Sequence, residues 1–411
     1  MFSGPWRDTV GTKGVSHTIA PHRTRILLVA AIIVLAANLR PAITGVGPLI
    51  GQISAGTGLS AGLSGLVTTV PLIAFGCVSP LAPRIARRVG LERTIFLGMI
   101  GLAIGSIVRA AGNPAALLAG MLLVGAGVAV GNVLLPSLIK RDFPTQVGLM
   151  TGMYVTVMNV FAGLGSGVSV PLARRLGWQG SLGFWLLLAL LGLVVWIPRL
   201  REHHVPDPAR GSTFWRSPLA WQMTLFMGLQ SLLFYVNIAW LPTLLHSRGF
   251  SLALSGWLVS LVQIVSLPGT FIIPIVAQRQ RRQTSLVAAT SLTFLIGYVG
   301  LLVTTSHFWS IVSVVFVGFG SGVSISLALA FFSLRTRTHQ NAGQVSGMAQ
   351  SVGYVLAALG PLVVGYLYAR TGNWTGPLIL LLIAVLLMTW AGFGASRSIF
   401  VEDHRGPPSL V

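Results

Sequence analysis

Long apolar stretches separated by short polar connections dominate this sequence. A helix needs about 20 apolar residues to cross a hydrocarbon core of about 30 Å, so runs of that length without charge clusters predict membrane spans. Twelve such runs occur, and they predict an all-α membrane protein with twelve transmembrane helices. Their predicted limits are 26–52, 60–82, 94–111, 115–139, 147–172, 178–198, 219–244, 251–276, 284–304, 308–333, 342–368 and 374–395.

The composition indicates that many of the apolar residues face lipid and do not belong to the core of a soluble protein. Hydrophobic residues make up 54% of the chain and charged residues 8%, whereas soluble domains hold about 25% charged residues. So few charges could not cover a soluble protein of 411 residues, which excludes soluble enzymes and nucleic-acid binders. The formal net charge of +20 comes from short basic clusters between the apolar runs. We therefore expect a lipid bilayer as partner and no nucleic acid.

The basic residues also indicate the orientation of the chain. Most of them lie in alternate connections and in the two tails. The opposite connections hold only Arg109, Arg174, Arg175, Arg248 and Arg370. The positive-inside rule then places both termini and the central connection in the cytoplasm. The expected location is the cytoplasmic (inner) membrane, as a multi-pass protein.

An internal repeat divides the chain. A shift of 195 residues pairs Gly127 with Gly322, and a shift of 194 pairs residues 87–88 with the basic residues 281–282. Many transporters are built from such repeats, and an even number of spans per repeat makes the two copies parallel. The predicted parts are an N-terminal cytoplasmic tail at 1–25, a six-helix bundle at 26–198, a cytoplasmic linker at 199–218, a second six-helix bundle at 219–396 and a cytoplasmic tail at 397–411.

Arg40 is the one basic residue predicted to lie in the interior of a span, whereas Arg109 stands at the end of the predicted run 94–111. All acidic residues fall in predicted tails or loops, so no carboxylate of a span is available to pair with it. A charge at this depth costs at least about 2.5–3.5 kcal/mol and calls for a wet cavity or a partner. Pro41 and Pro48 each free a backbone carbonyl, which predicts a bent or opened helix beside Arg40. The expected partner is an anionic or electron-rich ligand; the alternative is an arginine that snorkels outward and holds helices together.

Uncharged polar residues near the middle of other spans complete the candidate substrate site. As a set they suit a neutral or singly charged, planar, hydrogen-bonding solute, whereas each amide alone is better explained by a hydrogen bond between helices. The repeat shift of 195 places Tyr235 opposite Arg40. The predicted substrate-binding residues are Arg40, Asn38, Thr44, Asn132, Tyr154, Asn159, Gln230, Tyr235, Asn237, Gln263, Gln350 and Tyr354.

Small residues at four-residue spacing predict close helix packing. The pairs are Gly101 and Gly105, Gly127 and Gly131, Gly163 and Gly167, and Gly318 and Gly322. The chain has one cysteine, Cys77, inside an apolar run. We therefore expect no disulfide framework, and we expect no metal site, no cofactor and no catalytic residues.

Twelve spans in two repeats, with the basic segment 81–88 after the second span, resemble the major facilitator superfamily. That segment is similar to the cytoplasmic signature of the superfamily, but Pro83 stands where an Asp is usual and Ala86 where a Gly is usual. The resemblance implies a cytoplasmic gate formed by Arg84, Arg87, Arg88, Glu92 and Arg93.

More specific strings resemble the cyanate transporter and 2-nitroimidazole exporter subfamily. They include residues 38–41, 87–93, 134–136 and 228–235. The resemblance implies small anions or electron-poor small molecules as substrates, which agrees with a lone arginine in a span. The predicted function is a monomeric secondary transporter that moves such a solute by alternating access between its two bundles.

Two alternatives remain at this point. One is a broad-specificity drug exporter with a mainly aromatic and apolar cavity, in which Arg40 has a structural role. The other is a membrane enzyme or a non-transporting sensor on the same scaffold, although the sequence contains no recognisable catalytic constellation.

Overall fold

A computed structural model describes residues 22–58, 61–201 and 214–404 of the protein, and these residues form helices joined by short turns. The predicted N-terminal tail, linker and C-terminal tail lie largely outside the described residues. In the described residues up to 201, nine α-helices are present: α1 His22–Asn38, α2 Pro41–Thr44, α3 Ile50–Thr57, α4 Ala61–Val78, α5 Ala82–Val89, α6 Leu91–Val108, α7 Pro114–Asp142, α8 Val147–Gly183 and α9 Trp185–Trp196.

The described stretch 214–404 contains six α-helices: α10 Pro218–Ser247, α11 Leu252–Arg279, α12 Thr284–Val303, α13 His307–Leu334, α14 His339–Thr371 and α15 Thr375–Ala395. The described part of the chain also has four short 3₁₀ helices, at Gly47–Leu49, Ile197–Arg201, Phe214–Arg216 and Val401–His404. The all-α fold class is confirmed.

The described helices account for the predicted spans. Among the described residues, ten apolar stretches are long enough to cross a membrane, and the pair Thr69–Val78 and Ala82–Val89, bent by 50°, makes an eleventh if the two helices form one span. One of the ten, Val147–Arg201, has 55 residues, which as helix is about 80 Å, more than twice the hydrocarbon thickness. Gly177, at φ +69°, interrupts it, so this stretch contains two spans.

The first span is broken beside Arg40, as the two prolines predict. Helix α1 ends at Asn38, Leu39 and Arg40 form a turn, and α2 runs for only four residues before the 3₁₀ helix Gly47–Leu49. Pro48 cannot donate to the carbonyl of Thr44, and the hydroxyl of Ser166 donates to that oxygen instead at 3.1 Å. A side chain of α8 therefore satisfies a backbone group that the proline releases.

Glycines allow close helix packing at most of the predicted positions. A Cβ at Gly127 would clash with the backbone of Gly98, and one at Gly322 would clash with the carbonyl of Ser266. The prediction is wrong for Gly163 and Gly167, which have open space where a Cβ would stand. In that run it is the intervening glycine, at position 165, that packs against α2.

Two acidic residues predicted in loops are instead part of a buried ion cluster. Glu92 lies in the first turn of α6 and is 1% exposed. Arg141 contacts both Glu92 and Asp142 at 2.6 Å, and Arg199 contacts Asp142 at 2.8 Å. The four side chains are electrically balanced, and they connect the ends of α6, α7 and the 3₁₀ helix after α9. The boundary of α6 lies earlier than predicted because this pairing allows a charged residue inside the first turn.

The first six and last six spans meet through helices α4, α7 and α8 on one side and α11, α13 and α14 on the other. We call the end of the bundle that holds Arg84, Lys140 and Arg335 the basic end. Both the division into two bundles at 199–218 and the cytoplasmic placement of the basic end stay predictions.

Candidate functional site

A cavity lies between the two sets of spans, with an empty volume of about 370 Å³ including its opening. Polar and aromatic side chains of α8, α10, α11, α13 and α14 surround Arg40, which stands at the break in the first span. The lining residues are Arg40, Asn159, Gln230, Ser231, Phe234, Tyr235, Gln263, Ser266, Ser321, Ile325 and Tyr354.

The guanidinium of Arg40 has an aromatic neighbour and, among the described residues, no anionic one. Its Cζ lies 5.3 Å from the ring centroid of Phe234, a distance at which a cation is attracted to an aromatic face. Its Nε is buried and has no hydrogen-bond partner in the described part of the chain. Within the described ranges the acidic residues lie elsewhere: Glu92 and Asp142 in the ion cluster, and Glu402 and Asp403 after α15.

Four aromatic rings form a continuous wall beside Arg40. Tyr354 lies 4.6 Å from Phe75 and 6.4 Å from Tyr235, and Tyr235 lies 5.3 Å from Phe234, measured between ring centroids. The contact of Phe75 with Tyr354 joins α4 to α14. The wall therefore includes side chains from both sets of spans, and it offers faces on which a planar solute could stack.

Six of the twelve predicted substrate-binding residues line this cavity: Arg40, Asn159, Gln230, Tyr235, Gln263 and Tyr354. Gln230 already donates to the carbonyl of Met227 at 3.1 Å and to the hydroxyl of Ser231 at 2.7 Å. Those bonds use its amide hydrogens and orient the side chain.

The other six residues are engaged in helix packing or lie away from the cavity wall. Asn38 donates to the carbonyl of Leu188 at 3.1 Å, and Thr44 donates to the carbonyl of Ala162 at 2.9 Å. Asn237 bonds to Tyr298 at 3.0 Å. These bonds between helices correspond to the alternative interpretation of the mid-span polar groups.

The other three predicted residues that do not line the cavity are Asn132, Gln350 and Tyr154. Gln350 donates to the backbone carbonyl of Asn132 at 3.1 Å and to the hydroxyl of Ser346 at 2.9 Å. Tyr154 is 1% exposed, and its hydroxyl has no hydrogen-bond partner among the described residues.

Sequence reasoning did not identify five lining residues: Ser231, Phe234, Ser266, Ser321 and Ile325. The signal for Phe234 was present, since the shift of 194 residues that pairs the basic residues 87–88 with 281–282 also pairs Arg40 with Phe234. Ser266 and Ser321 donate to carbonyls of their own helices, at 2.6 and 2.9 Å. Serines of that kind occur throughout spans, so the sequence does not distinguish those at a cavity.

The residues of the implied gate lie at the basic end. Arg84, Arg88 and Arg93 are exposed, Arg87 is half-buried, and Glu92 belongs to the ion cluster within the first six spans. Pro83, at the position where the superfamily signature has an Asp, instead lies close to Gly347 of α14. Position 83 therefore contributes van der Waals contact between α5 and α14.

Lys140 makes the charged contact between the two sets of spans at this end. Its ammonium donates to the backbone carbonyls of Ser333 and Thr336, at the C-terminal end of α13. Ser137 donates to the carbonyl of His339 at 2.6 Å, and the hydroxyl of Ser333 donates to the carbonyl of Pro136 at 3.2 Å. A cation is favoured at the C-terminal end of a helix, where carbonyls lack intrahelical partners.

Arg335, the repeat counterpart of Lys140, has a different role. It donates to the carbonyls of Ala395 and Ser396, at 3.1 and 2.9 Å, and to the side chain of Gln283. Burial lowers the pKa of the Arg335 guanidinium to about 10, so it remains protonated at neutral pH. It joins α13 to α15 within the last six spans.

The sequence of residues 26–361 matches the family model of the Major Facilitator Superfamily. The chain belongs to this superfamily. It is 41% identical to the 2-nitroimidazole transporter of Escherichia coli strain K12 over 381 residues, 91% of this chain and 96% of that protein. It is 26% identical to the cyanate transport protein CynX of the same strain over 354 residues, 84% of this chain and 91% of that protein.

The fold is also that of solved transporters. The superfamily's proton:xylose symporter XylE, solved with 6-bromo-6-deoxy-D-glucose, superimposes with a TM-score of 0.78 at 13% identity and covers 93% of this chain and 98% of that one. Membership of the superfamily and the 41% identity to a bacterial transporter make the protein a multi-pass membrane transporter with a small molecule as its class of substrate.

Proposed function

We propose that this transporter moves a small anion or a small, planar, electron-poor solute, cyanate-like or nitroimidazole-like, across the cytoplasmic membrane. The observation that carries the proposal is the Arg40 guanidinium, which lines a cavity and has no carboxylate partner in the described ranges. A monoanion would neutralise it, and the oxygens of a nitro group would accept its hydrogen bonds. The names of the two bacterial relatives agree with this chemistry.

The aromatic wall supports a planar substrate. Phe234, Tyr235 and Tyr354 stand around the guanidinium, and the amides of Asn159 and Gln263 add polar groups to the same wall. Stacking limits the thickness of the solute, and the amides favour one with acceptors or donors at its edge. We propose that no catalytic step is involved and that the protein works as a monomer without a nucleic-acid partner.

Alternating access is the proposed mechanism. The contacts of Lys140, Ser137 and Ser333 hold the two sets of spans together at the basic end, which we assign to the cytoplasm together with both termini. Release of these contacts would open the Arg40 cavity toward that side while the opposite side closes.

Counterflow in proteoliposomes tests the proposal. Purified protein is reconstituted with unlabelled 2-nitroimidazole or cyanate inside, and uptake of the labelled compound is followed. We expect counterflow with the wild type and strong loss with Arg40→Gln, which keeps hydrogen-bonding ability but removes the charge. Arg174→Gln is the matched control, because Arg174 is exposed and does not line the cavity. Absence of counterflow of both compounds with folded wild-type protein contradicts the proposal.

The aromatic wall also favours a second candidate, an exporter of broad specificity. In that case unrelated neutral aromatic compounds should compete with the labelled substrate as well as anions do, and Arg40→Gln should retain export of the neutral compounds. Competition limited to anions and nitro compounds supports the first proposal.

A further inference from the structure

Arg109 is a completely buried arginine outside the cavity. It follows α6, where the sequence predicts a connection on the side opposite the basic end, yet its side chain is 0% exposed. Its guanidinium donates to the backbone carbonyl of Ala42 and, at 2.7 Å, to that of Leu182. Two backbone carbonyls therefore stabilise this buried charge, and in the described ranges no carboxylate contacts it.

The carbonyl of Ala42 needs an outside donor because the first span is broken there. In a continuous helix the amide of Val46 would bond to it, four residues on. Instead that amide donates to the carbonyl of Ile43 at 3.2 Å. The oxygen of Ala42 is thus left at the end of α2 without its helical bond, and Arg109 supplies the missing donor.

Helix α2 begins directly after Arg40. The carbonyl of Arg40 accepts from the amides of Ile43 and Thr44, both at 3.0 Å. The position of α2 therefore determines where the backbone of Arg40 lies, and with it the reach of the Arg40 guanidinium toward Phe234.

Arginine suits this role better than lysine would. Its planar guanidinium has several fixed donors, and here two of them reach carbonyls from separate elements, α2 and the end of α8. Gly120 makes room for it, since a Cβ at that position would clash with the backbone of Arg109. The site is therefore shaped for a rigid connection between three helices.

We propose that Arg109 is a positioning residue for substrate binding, which fixes α2 so that Arg40 faces the cavity. This inference rests on the proposed function of Arg40. Arg109 itself does not contact substrate, because it is fully buried away from the cavity lining.

Kinetics and hydrogen exchange of matched variants test the inference. Arg109→Lys is the main variant. It keeps the positive charge but loses the planar guanidinium, whose two terminal nitrogens reach the two carbonyls at once. Loss of one charge-assisted hydrogen bond to α2 should raise KM for 2-nitroimidazole counterflow about tenfold, with the maximal rate within about twofold of the wild type. Deuterium uptake of the peptide 39–50 should increase in the same variant.

Arg248→Lys is the control. Arg248 also donates to backbone carbonyls, those of Thr304 and Leu301, but it follows the C-terminal end of α10 and does not contact α2. It should leave KM and the uptake of peptide 39–50 unchanged. Ser166→Ala is a milder second variant that loosens the same stretch through the carbonyl of Thr44, and it should change both readouts in the same direction as Arg109→Lys.

The two readouts separate failure of the inference from failure of the proposed function. If Arg109→Lys lowers thermal stability but leaves KM and the exchange of 39–50 unchanged, Arg109 is only structural and the inference is overturned. If the wild type shows no counterflow, the proposed function fails, and unchanged exchange of 39–50 in both variants then overturns the positioning role on its own.

Discussion

Lys140→Met removes the charged contact between the two sets of spans at the basic end. Methionine has a similar length and no hydrogen-bond donor, so the carbonyls of Ser333 and Thr336 lose the ammonium that serves both of them. The neutral contacts of Ser137 with His339 and of Ser333 with Pro136 remain. The substitution thus removes only the charged contact between the two sets of spans and leaves these neutral contacts in place.

The magnitude follows from the kind of bond that is lost. A hydrogen bond from a charged donor contributes about 1.5–3 kcal/mol, and the released carbonyls become hydrated when the end opens, so we take about 2 kcal/mol. That value shifts the equilibrium between closed and open forms about 30-fold. A transporter with about 1% of its molecules open at this end would then have about a quarter of them open.

A distance measurement between spin labels detects such a shift. Labels at positions 88 and 282, both exposed and one in each set of spans, are introduced in a Cys77→Ser background. Lys140→Met should add a population at longer distance. Arg397→Met is the matched control, because Arg397 is an exposed basic residue after α15 at the same end and does not belong to the implied gate, and it should leave the distribution unchanged. Identical distributions for Lys140→Met and its parent would refute the role of this contact.

Two further predictions concern stability, and both are checked by thermal unfolding in detergent. Glu92→Gln removes the buried carboxylate that pairs with Arg141 and Arg199 and should lower the free energy of unfolding by about 3–5 kcal/mol, whereas Asp403→Asn in an exposed pair should change it by less than about 1 kcal/mol. Equal losses of stability in the two variants would show that burial does not determine how much an ion pair contributes to the free energy of unfolding. Gly322→Ala drives a Cβ into the carbonyl of Ser266 and should destabilise by about 1–3 kcal/mol, while Gly163→Ala meets open space and should be neutral. A neutral Gly322→Ala would mean that α11 and α13 separate without cost.

The spans and the break in the first one could be predicted because both depend on local properties. Apolar length determines whether a segment crosses the membrane, and Pro41 and Pro48 remove backbone donors wherever they stand. Arg40 was recognisable for the same reason, since its charge conflicts with its surroundings in the linear sequence.

The partners of buried polar groups could not be predicted, because they come from other helices. Glu92 is placed in a loop by its charge alone, and only Arg141 and Arg199 explain its burial. Arg109 is likewise assigned to a connection, since nothing local reveals that Ala42 lacks a donor. Among the polar residues of the spans, rotation about the helix axis decides which line the cavity, and a residue type does not specify that angle.

The solitary guanidinium of Arg40 has an electrical consequence. If the solute is a monoanion, the occupied site is neutral and the vacant site carries one positive charge. An elementary charge that crosses a potential of 100 mV changes the free energy by about 2.3 kcal/mol. Voltage would then act on the return of the vacant carrier and hardly at all on the loaded one, so the resting potential of the cell would govern how quickly each transport cycle is reset.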